Sequence, residues 1–300
     1  MIIERIESRR DQLPLELAII EPEGKPVGIV QFVHGMAEHK ERYYDFMNYL
    51  ATNGYICAIH DHRGHGASVR ESGHLGYFYT EDTSVIVDDV FQVTEYLQDK
   101  YGALNISIFS HSMGTLVARN YLKKYGDGIS RIVLCGPPTK NGLVNVALIL
   151  AKVTGLFHDK FAPNKFLGRL SLGPYNKEHT TQNSWLCSDS GVVDAYNADP
   201  LCGFTFTTNG FTNLYKLLKS AFNSKDWKSP KKDLPVLLIA GDNDPVIQSK
   251  QKFIDLEKFL RTVGYENITS KLYGHKRHEL LNEIGREDIY KDVLRFFSAD

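Results

Sequence analysis

Three residue types that together carry out nucleophilic acyl transfer occur in this chain in the order serine, aspartate, histidine. The serine is Ser112, the aspartates are Asp242 and Asp244, and the histidines are His275 and His278. A serine hydroxyl attacks well only when a neutral imidazole accepts its proton, and a carboxylate must orient that imidazole and stabilise its charged form. This set predicts hydrolysis through a covalent acyl-enzyme, with two aspartates and two histidines competing for the supporting roles.

The residues around Ser112 predict a sharp turn from a buried strand into a helix. Ser112 is separated by one residue on either side from the small residues Ser110 and Gly114. Small neighbours are needed because a larger side chain would collide with the adjoining backbone of so tight a turn. The turn would aim the N–H of Met113 at the negative charge that develops on an attacked carbonyl. Taken alone, the pattern is also compatible with a chance Ser/Gly turn.

A second loop offers another backbone donor for that charge. The loop contains Gly35 and follows an interior strand expected over residues 27–33, so Met36 is the natural second amide. His34 and His39 in the same loop are candidate bases. We favour a role for them in orienting the loop, because neither has an acid placed in the sequence to orient it.

Residues 60–66 form a histidine-dense segment that suggests a metal site at first sight. We favour instead a tight loop held by internal polar bonds through Asp61 and Arg63. A metal site would also need ligands converging from other loops, and the sequence offers no clear set. We therefore predict no metal and no cofactor.

Strands and helices alternate over most of the chain. The strands are expected at 13–20, 27–33, 55–59, 106–109, 131–135, 234–240 and 268–273, and the helices at 42–53, 84–101, 115–124 and 247–263, with a further helix at the C-terminal end. Such alternation predicts a mostly parallel sheet covered on both faces. The aspartates and histidines then follow the C-terminal ends of strands, where ligands gather in sheets of this kind.

The alternation stops after about residue 136, so we predict a cap inserted over residues 137–232 into a core formed by 1–136 and 233–300. Residues 141–158 within it are strongly apolar, but they are too short to span a bilayer and contain Lys152. A helix here would either touch acyl chains or a lipid surface, or be an ordinary buried helix of the cap. We slightly favour the buried helix.

Composition excludes several classes of function. The 300 residues carry a formal net charge of −1, which gives no electrostatic reason to expect nucleic acid as a partner. The four cysteines have no metal-type spacing and are too few to stabilise a chain of this length through disulfide bonds, which favours a reducing compartment. The N-terminal residues are charged and lack the apolar core of a signal peptide, so we expect a cytoplasmic protein.

Five motifs together resemble the monoglyceride lipase and lysophospholipase branch of the α/β-hydrolase superfamily, also labelled serine aminopeptidase-like hydrolases. The motifs are residues 34–39 with 42–43, 61–66, 111–114, 241–246 and 278–283. Residues 199–206 are similar to the cap of bacterial members. The resemblance spans nearly the whole chain, with one departure, because the usual first glycine of the serine turn is Ser110 here.

The resemblance implies the α/β-hydrolase fold with a cap and assigns the site residues. Ser112 would be the nucleophile, His278 the general base and Asp244 the orienting acid, with the N–H groups of Met36 and Met113 forming the oxyanion hole. Of the two aspartates, Asp244 matches the family, because it directly precedes Pro245 and Val246. His275, three residues before His278, stands where relatives often have a small residue.

The substrate class implied is a carboxylic ester, such as a monoacylglycerol or a lysophospholipid, with transient contact between the cap and a membrane or micelle. Two alternatives stay open. One is hydrolysis of a peptide or amide by the same three residues. The other is a binding protein without catalysis, which the intact Ser112, Asp244 and His278 disfavour because a binding protein has no need of all three.

Overall fold

An eight-stranded sheet forms the centre of the protein, which is described here by a computed structural model over residues 1–176, 181–227 and 230–299. The strands are β1 (Ile2–Glu7), β2 (Pro14–Ile20), β3 (Gly28–Val33), β4 (Tyr55–His60), β5 (Ile106–His111), β6 (Arg131–Cys135), β7 (Val236–Gly241) and β8 (Ile268–Tyr273). Their spatial order is β1-β2-β4-β3-β5-β6-β7-β8. The first two strands in this order are antiparallel to their neighbours and all later pairs are parallel, as the sequence predicts.

Helices cover the sheet. In the described residues they are α1 (Tyr44–Thr52), α2 (Ser84–Tyr101), α3 (Met113–Tyr125), α4 (Val144–Gly155), α5 (Lys165–Asn176), α6 (Ser190–Ala198), α7 (Thr208–Ala221), α8 (Lys250–Thr262) and α9 (Arg286–Ser298). Strands β3, β4, β5 and β7 are buried at every position. Their continuous apolar character follows from this, because a parallel sheet is shielded from water on both faces.

Two local predictions differ from the structure. Strand β1 was not predicted, because half of its residues are charged; it lies at the edge of the sheet, where Lys100 on α2 donates to Glu4. The helix expected over 247–263 is shorter. A 3₁₀ turn (Pro245–Ile247) and a left-handed Gln248, with φ of +62°, precede α8, whose first turn is capped by the Ser249 hydroxyl.

Helices α4 to α7 lie in the chain between β6 and β7, in the stretch predicted as the cap. Helix α7 packs against α3 and α4 packs on α7, so apolar residues of this stretch share a core with α3. The boundaries 137 and 232 stay a prediction.

Helix α4 is not the buried helix that we favoured. Ala151 is its buried residue, whereas one face of the helix and the residues flanking it are exposed. The exposed side chains are Leu143, Val146, Ile149, Val153, Leu156 and Phe157, and we refer to them as the α4 patch. No helix in the described part of the chain combines the length and the apolar character that crossing a membrane requires.

Candidate active site

Ser112 stands on a strained turn between β5 and α3. Its φ of +51° and ψ of −120° are unfavourable for a residue with a side chain, and its N–H donates to the Cys135 carbonyl at 2.9 Å. A Cβ on Gly114 would lie 2.0 Å from the carbonyl oxygen of Val33, so only glycine fits there. Ser110 is tolerated because its hydroxyl donates to the Val133 carbonyl at 2.8 Å.

A buried carboxylate orients one of the two candidate histidines. His278 Nδ1 lies 2.9 Å from Asp244 Oδ2, and the side chains are 2% and 0% exposed. The other carboxylate oxygen of Asp244 accepts the N–H of Val246 at 2.8 Å. Because Nδ1 faces the carboxylate, the imidazole presents Nε2 on its other edge, which is the arrangement a general base requires.

The competing aspartate and histidine shape the same loop without joining this pair. Asp242 Oδ1 accepts the backbone N–H of His275 at 2.6 Å, and its other oxygen faces Lys250 Nζ at 3.4 Å. The His275 side chain is exposed, and its φ of +59° is left-handed. A left-handed backbone favours a residue with little side chain, so a small residue would be less strained than histidine at this place.

Ser112 and His278 both lie beside the C-terminal end of β6. Cys135 holds the Ser112 N–H, and a Cβ on the next residue, Gly136, would lie 3.0 Å from His278 Nδ1. Within the described residues no hydrogen bond joins the Ser112 hydroxyl to the His278 ring. Bonds of this kind often tighten only when substrate is bound.

The two amides expected to face an oxyanion lie on either side of Ser112. Met113 is the first residue of α3, and Met36 follows Gly35, whose Cβ position would be 3.1 Å from Ser112 Cβ. Neither methionine N–H donates to an acceptor among the described residues. Two free donors beside a nucleophile suit an oxyanion hole.

Glu38 anchors the loop that carries Met36. Its carboxylate accepts the Gly35 N–H at 2.5 Å, the Tyr43 hydroxyl at 2.8 Å and Arg42 Nη1 at 2.9 Å. Burial would raise the pKa of Glu38, but the His111 ring and the Arg42 charge hold that pKa well below its usual range. Glu38 lies within the motif of residues 34–39, but no local pattern in the sequence indicates this role.

Arg42 connects Glu38 to the loop of the candidate base. Its guanidinium makes two hydrogen bonds to the Glu279 carboxylate, at 2.7 and 2.6 Å. Both Glu38 and Glu279 are at most 4% exposed. This ion pair leaves no local pattern in the sequence, because its partners lie 237 positions apart.

The histidine-dense segment is a loop held by polar bonds of Asp61 and Arg63, as predicted, but the partners of these bonds lie outside the segment. Asp61 accepts from both the backbone N–H and Nζ of Lys40 at 2.8 Å, and Arg63 Nε donates to Asp89 at 2.7 Å. The rings of His34, His60, His62 and His65 stack edge to face or tilted against one another. Burial lowers the pKa of all four, to about 4 for His60 and His65.

His39 has the acid partner that the sequence did not reveal. Its Nε2 lies 2.9 Å from Asp199 Oδ2, so the expectation that no acid orients it was wrong. In the described part of the chain, His39, Asp199 and Cys202 form the one group whose metal-ligating atoms lie within 4.8 Å of one another. Asp199 also accepts the Leu201 N–H at 2.8 Å. Hydrogen bonds of its own therefore account for this group, which ties the chain after α6 to the Met36 loop.

Aromatic side chains cover His278. The Trp185 ring is centred 5.3 Å from the imidazole, and Tyr175 packs on Trp185 at 5.1 Å. The Glu279 N–H donates to the Leu186 carbonyl at 2.7 Å, and this bond connects the segment of Trp185 to the loop that carries His278. Burial raises the pKa of Tyr175 to about 12, so the cover is uncharged at neutral pH.

Comparison with known proteins decides the family. The model of the Hydrolase_4 family, described as serine aminopeptidase, S33, matches residues 24–285. The chain belongs to this family. It is 27% identical to the monoacylglycerol lipase of Mycolicibacterium smegmatis over 91% of this chain and 88% of that protein. It is also 27% identical to the human monoglyceride lipase over 88% of this chain and 79% of that one.

A solved structure shows the same architecture. The thermostable carboxyl esterase of Bacillus coagulans, in complex with glycerol, superposes with a TM-score of 0.91 at 25% identity, over 99% of this chain and 97% of that one. The protein is a hydrolase with the α/β-hydrolase fold, as the motifs predicted.

Proposed function

We propose that this protein is a serine ester hydrolase that works through an acyl-enzyme. The observation that carries the proposal is the buried bond between His278 and Asp244, next to a serine held on a strained turn. The family and the ester hydrolases among the relatives support it. Ser112, His278 and Asp244 act as nucleophile, general base and orienting acid.

The reaction proceeds in two steps. His278 takes the proton of the Ser112 hydroxyl as the oxygen attacks the ester carbonyl, and it then gives that proton to the departing alcohol. In the second step His278 activates a water molecule, which releases the acid and restores Ser112. The N–H groups of Met36 and Met113 stabilise the oxyanion of both tetrahedral intermediates.

The substrate class that we propose is a monoester with a long acyl chain, a monoacylglycerol or a lysophospholipid. The names of the two lipase relatives and the glycerol bound to the esterase support a glycerol ester. The apolar cover formed by Tyr175 and Trp185 suits an acyl chain better than a charged group.

We also propose that the α4 patch touches the surface of a membrane or micelle that holds the substrate. Phe157 and Leu156 are 83% and 75% exposed, and Phe166 and Leu170 on α5 add to the exposed apolar surface. Exposed basic side chains stand along the same segment: Lys152, Lys160, Lys165 and Arg169. An apolar face with basic residues around it suits the interface of an anionic bilayer.

The compartment that we propose is reducing and cytoplasmic. All four cysteines are buried and free, which supports a reducing environment.

Release of an N-terminal amino acid is the second candidate, favoured by the family's description as serine aminopeptidase. A free α-amine needs an unpaired carboxylate near the nucleophile. Besides Asp244, which binds His278, the buried carboxylates that the structure describes near Ser112 are Glu38 and Glu279, and Arg42 binds both. Ester hydrolysis is therefore the better supported reaction.

A substrate panel separates these reactions. Purified protein is assayed at matched concentrations with 1-oleoylglycerol, a lysophosphatidylcholine, p-nitrophenyl butyrate and leucine p-nitroanilide. The expected result is the highest kcat/KM on one of the long-chain lipids and none on the anilide. Preference for the butyrate would replace the lipase by a short-chain esterase, and turnover of the anilide alone would favour the peptidase.

A further inference from the structure

A group of four ionisable side chains with little access to water lies next to Ser112 and joins the loops of the site. Its members are Glu38, Arg42, His111 and Glu279, and we call it the charge quartet. His111 precedes Ser112 in the chain and contributes a ring that is 7% exposed. It has no role in the reaction as described above.

Both ring nitrogens of His111 face atoms that can only accept hydrogen bonds. Nδ1 lies 3.2 Å from Glu38 Oε1, and Nε2 lies 3.3 Å from the backbone carbonyl oxygen of His278. A neutral imidazole carries one N–H, so it would leave one of these contacts between two acceptors. Two N–H groups, and hence a positive charge, satisfy both contacts.

The charges of the quartet lead to the same assignment. Glu38 and Glu279 contribute two negative charges and Arg42 contributes one positive charge, all with little access to water. A protonated His111 makes the quartet neutral, whereas a neutral one leaves a net negative charge in the interior. Uncompensated buried charge is strongly disfavoured.

We propose that His111 is a positioning residue that remains doubly protonated at neutral pH and, as an imidazolium, ties Glu38 beneath the oxyanion loop to the backbone of the general base. The role in the reaction rests on the proposed function. Through Glu38 the ring fixes the Gly35 N–H, in the peptide directly before the one that supplies the Met36 N–H. Through the His278 carbonyl it fixes the base.

The charge of His111 also bears on the base electrostatically. Its ring is centred 4.7 Å from the His278 ring, so the positive charge that we propose lies close to the imidazole that accepts the serine proton. Burial alone would lower the pKa of His111, but the hydrogen bond and charge of Glu38 hold that pKa above its ordinary value. The ionisable groups around His111 are Glu38, Arg42 and Tyr43 from one loop and His278 and Glu279 from the other, with Asp244 behind His278.

Nuclear magnetic resonance tests the protonation state without reference to activity. Long-range ¹H–¹⁵N correlation spectra of the protein labelled at histidine, with the His111 signals identified by their loss in His111→Gln, should show two protonated ring nitrogens at neutral pH. Glu38→Gln removes the compensating charge and should convert the ring to a neutral form. A neutral His111 ring in the native protein would overturn the proposal.

The pH dependence of kcat/KM tests the effect on the base. In His111→Gln the acidic limb should move to higher pH by roughly one unit, because a unit positive charge has been removed beside His278. Glu38→Gln with His111→Gln restores neutrality, so the limb should return toward that of the native protein. His74→Gln, at a histidine that bonds Tyr79, is the control and should leave the limb in place.

A purely structural role of His111 predicts a different pattern. It would lower kcat/KM without moving the acidic limb of the pH profile, and the double variant would have a lower kcat/KM than His111→Gln alone. Either result would overturn the electrostatic part of the proposal. Thermal unfolding of each variant establishes that the proteins compared are folded. If no ester were hydrolysed at all, the proposed function would fail, while the spectra would still report the state of His111.

Discussion

His278 and Asp244 form a buried pair, 2.9 Å between Nδ1 and Oδ2, while Asp242 in the same loop binds the backbone N–H of His275 and the side chain of Lys250. Two aspartates separated by one residue thus have different tasks. The first shapes the loop and the second orients the ring.

This difference predicts unequal losses from the same chemical change at the two aspartates. Asp244→Asn should lower kcat by about 10³- to 10⁴-fold, because an amide favours the wrong tautomer of His278. Asp242→Asn should cost less than about tenfold, since the loop keeps its other bonds. Steady-state kinetics on p-nitrophenyl butyrate gives both values, and a larger loss at Asp242 would reverse the assignment.

The turn around Ser112 predicts opposite tolerance at its two small neighbours. Gly114→Ala places a Cβ 2.0 Å from the Val33 carbonyl, so activity should fall below about 1% or the protein should not fold. Ser110→Gly removes one hydrogen bond to Val133 and should retain activity within about threefold while lowering stability by about 1 kcal/mol. Activity assays and urea unfolding of the two variants test these expectations. A fully active Gly114→Ala would contradict the geometry.

The four stacked histidines predict a loss of stability in mild acid. Their folded-state pKa values are lowered, so between about pH 6.5 and 4 the unfolded chain binds more protons than the folded one. Stability therefore falls as pH falls. From pH 7 to 5.5 the free energy of unfolding should drop by about 3 to 5 kcal/mol, since each site contributes about 1.2 kcal/mol and the raised pKa of His111 opposes the trend.

Urea unfolding at the two pH values measures this change. The matched variant is His60→Gln, because neither His60 ring nitrogen has a partner among the described residues. Between pH 7 and 5.5 the free energy of unfolding of this variant should fall by about 1 kcal/mol less than that of the native protein. Equal stability of the native protein at both pH values would show that the histidines do not stay neutral in the fold.

The α4 patch predicts a selective effect on substrates held in lipid. Leu156→Ser with Phe157→Ser should reduce flotation with anionic vesicles and lower the rate on vesicle-bound monoacylglycerol by about tenfold, while turnover of dissolved p-nitrophenyl butyrate stays within about twofold. Ile254→Ser removes an exposed apolar side chain from α8 and is the control. An equal loss on both substrates would contradict a role in surface contact.

The sequence predicted the core of the fold because its parallel strands are continuous apolar runs that end in glycine-containing loops. It also identified Ser112, Asp244 and His278 as candidates, since motifs mark them locally. It did not reveal Glu279 as the partner of Arg42 or Asp199 as the partner of His39, because contacts between distant positions leave no local pattern. Nor could the apolar character of α4 distinguish a helix in the interior from one at the surface, since both bear the same residues.

The proposed reaction requires that Ser112 is an activated nucleophile. Intact-mass spectrometry after treatment with a fluorophosphonate tests it directly, on the native protein and on Ser112→Ala. We predict one adduct on the native protein and none on the variant. A folded native protein that forms no adduct, or a variant that still forms one, would show that the nucleophile is not Ser112.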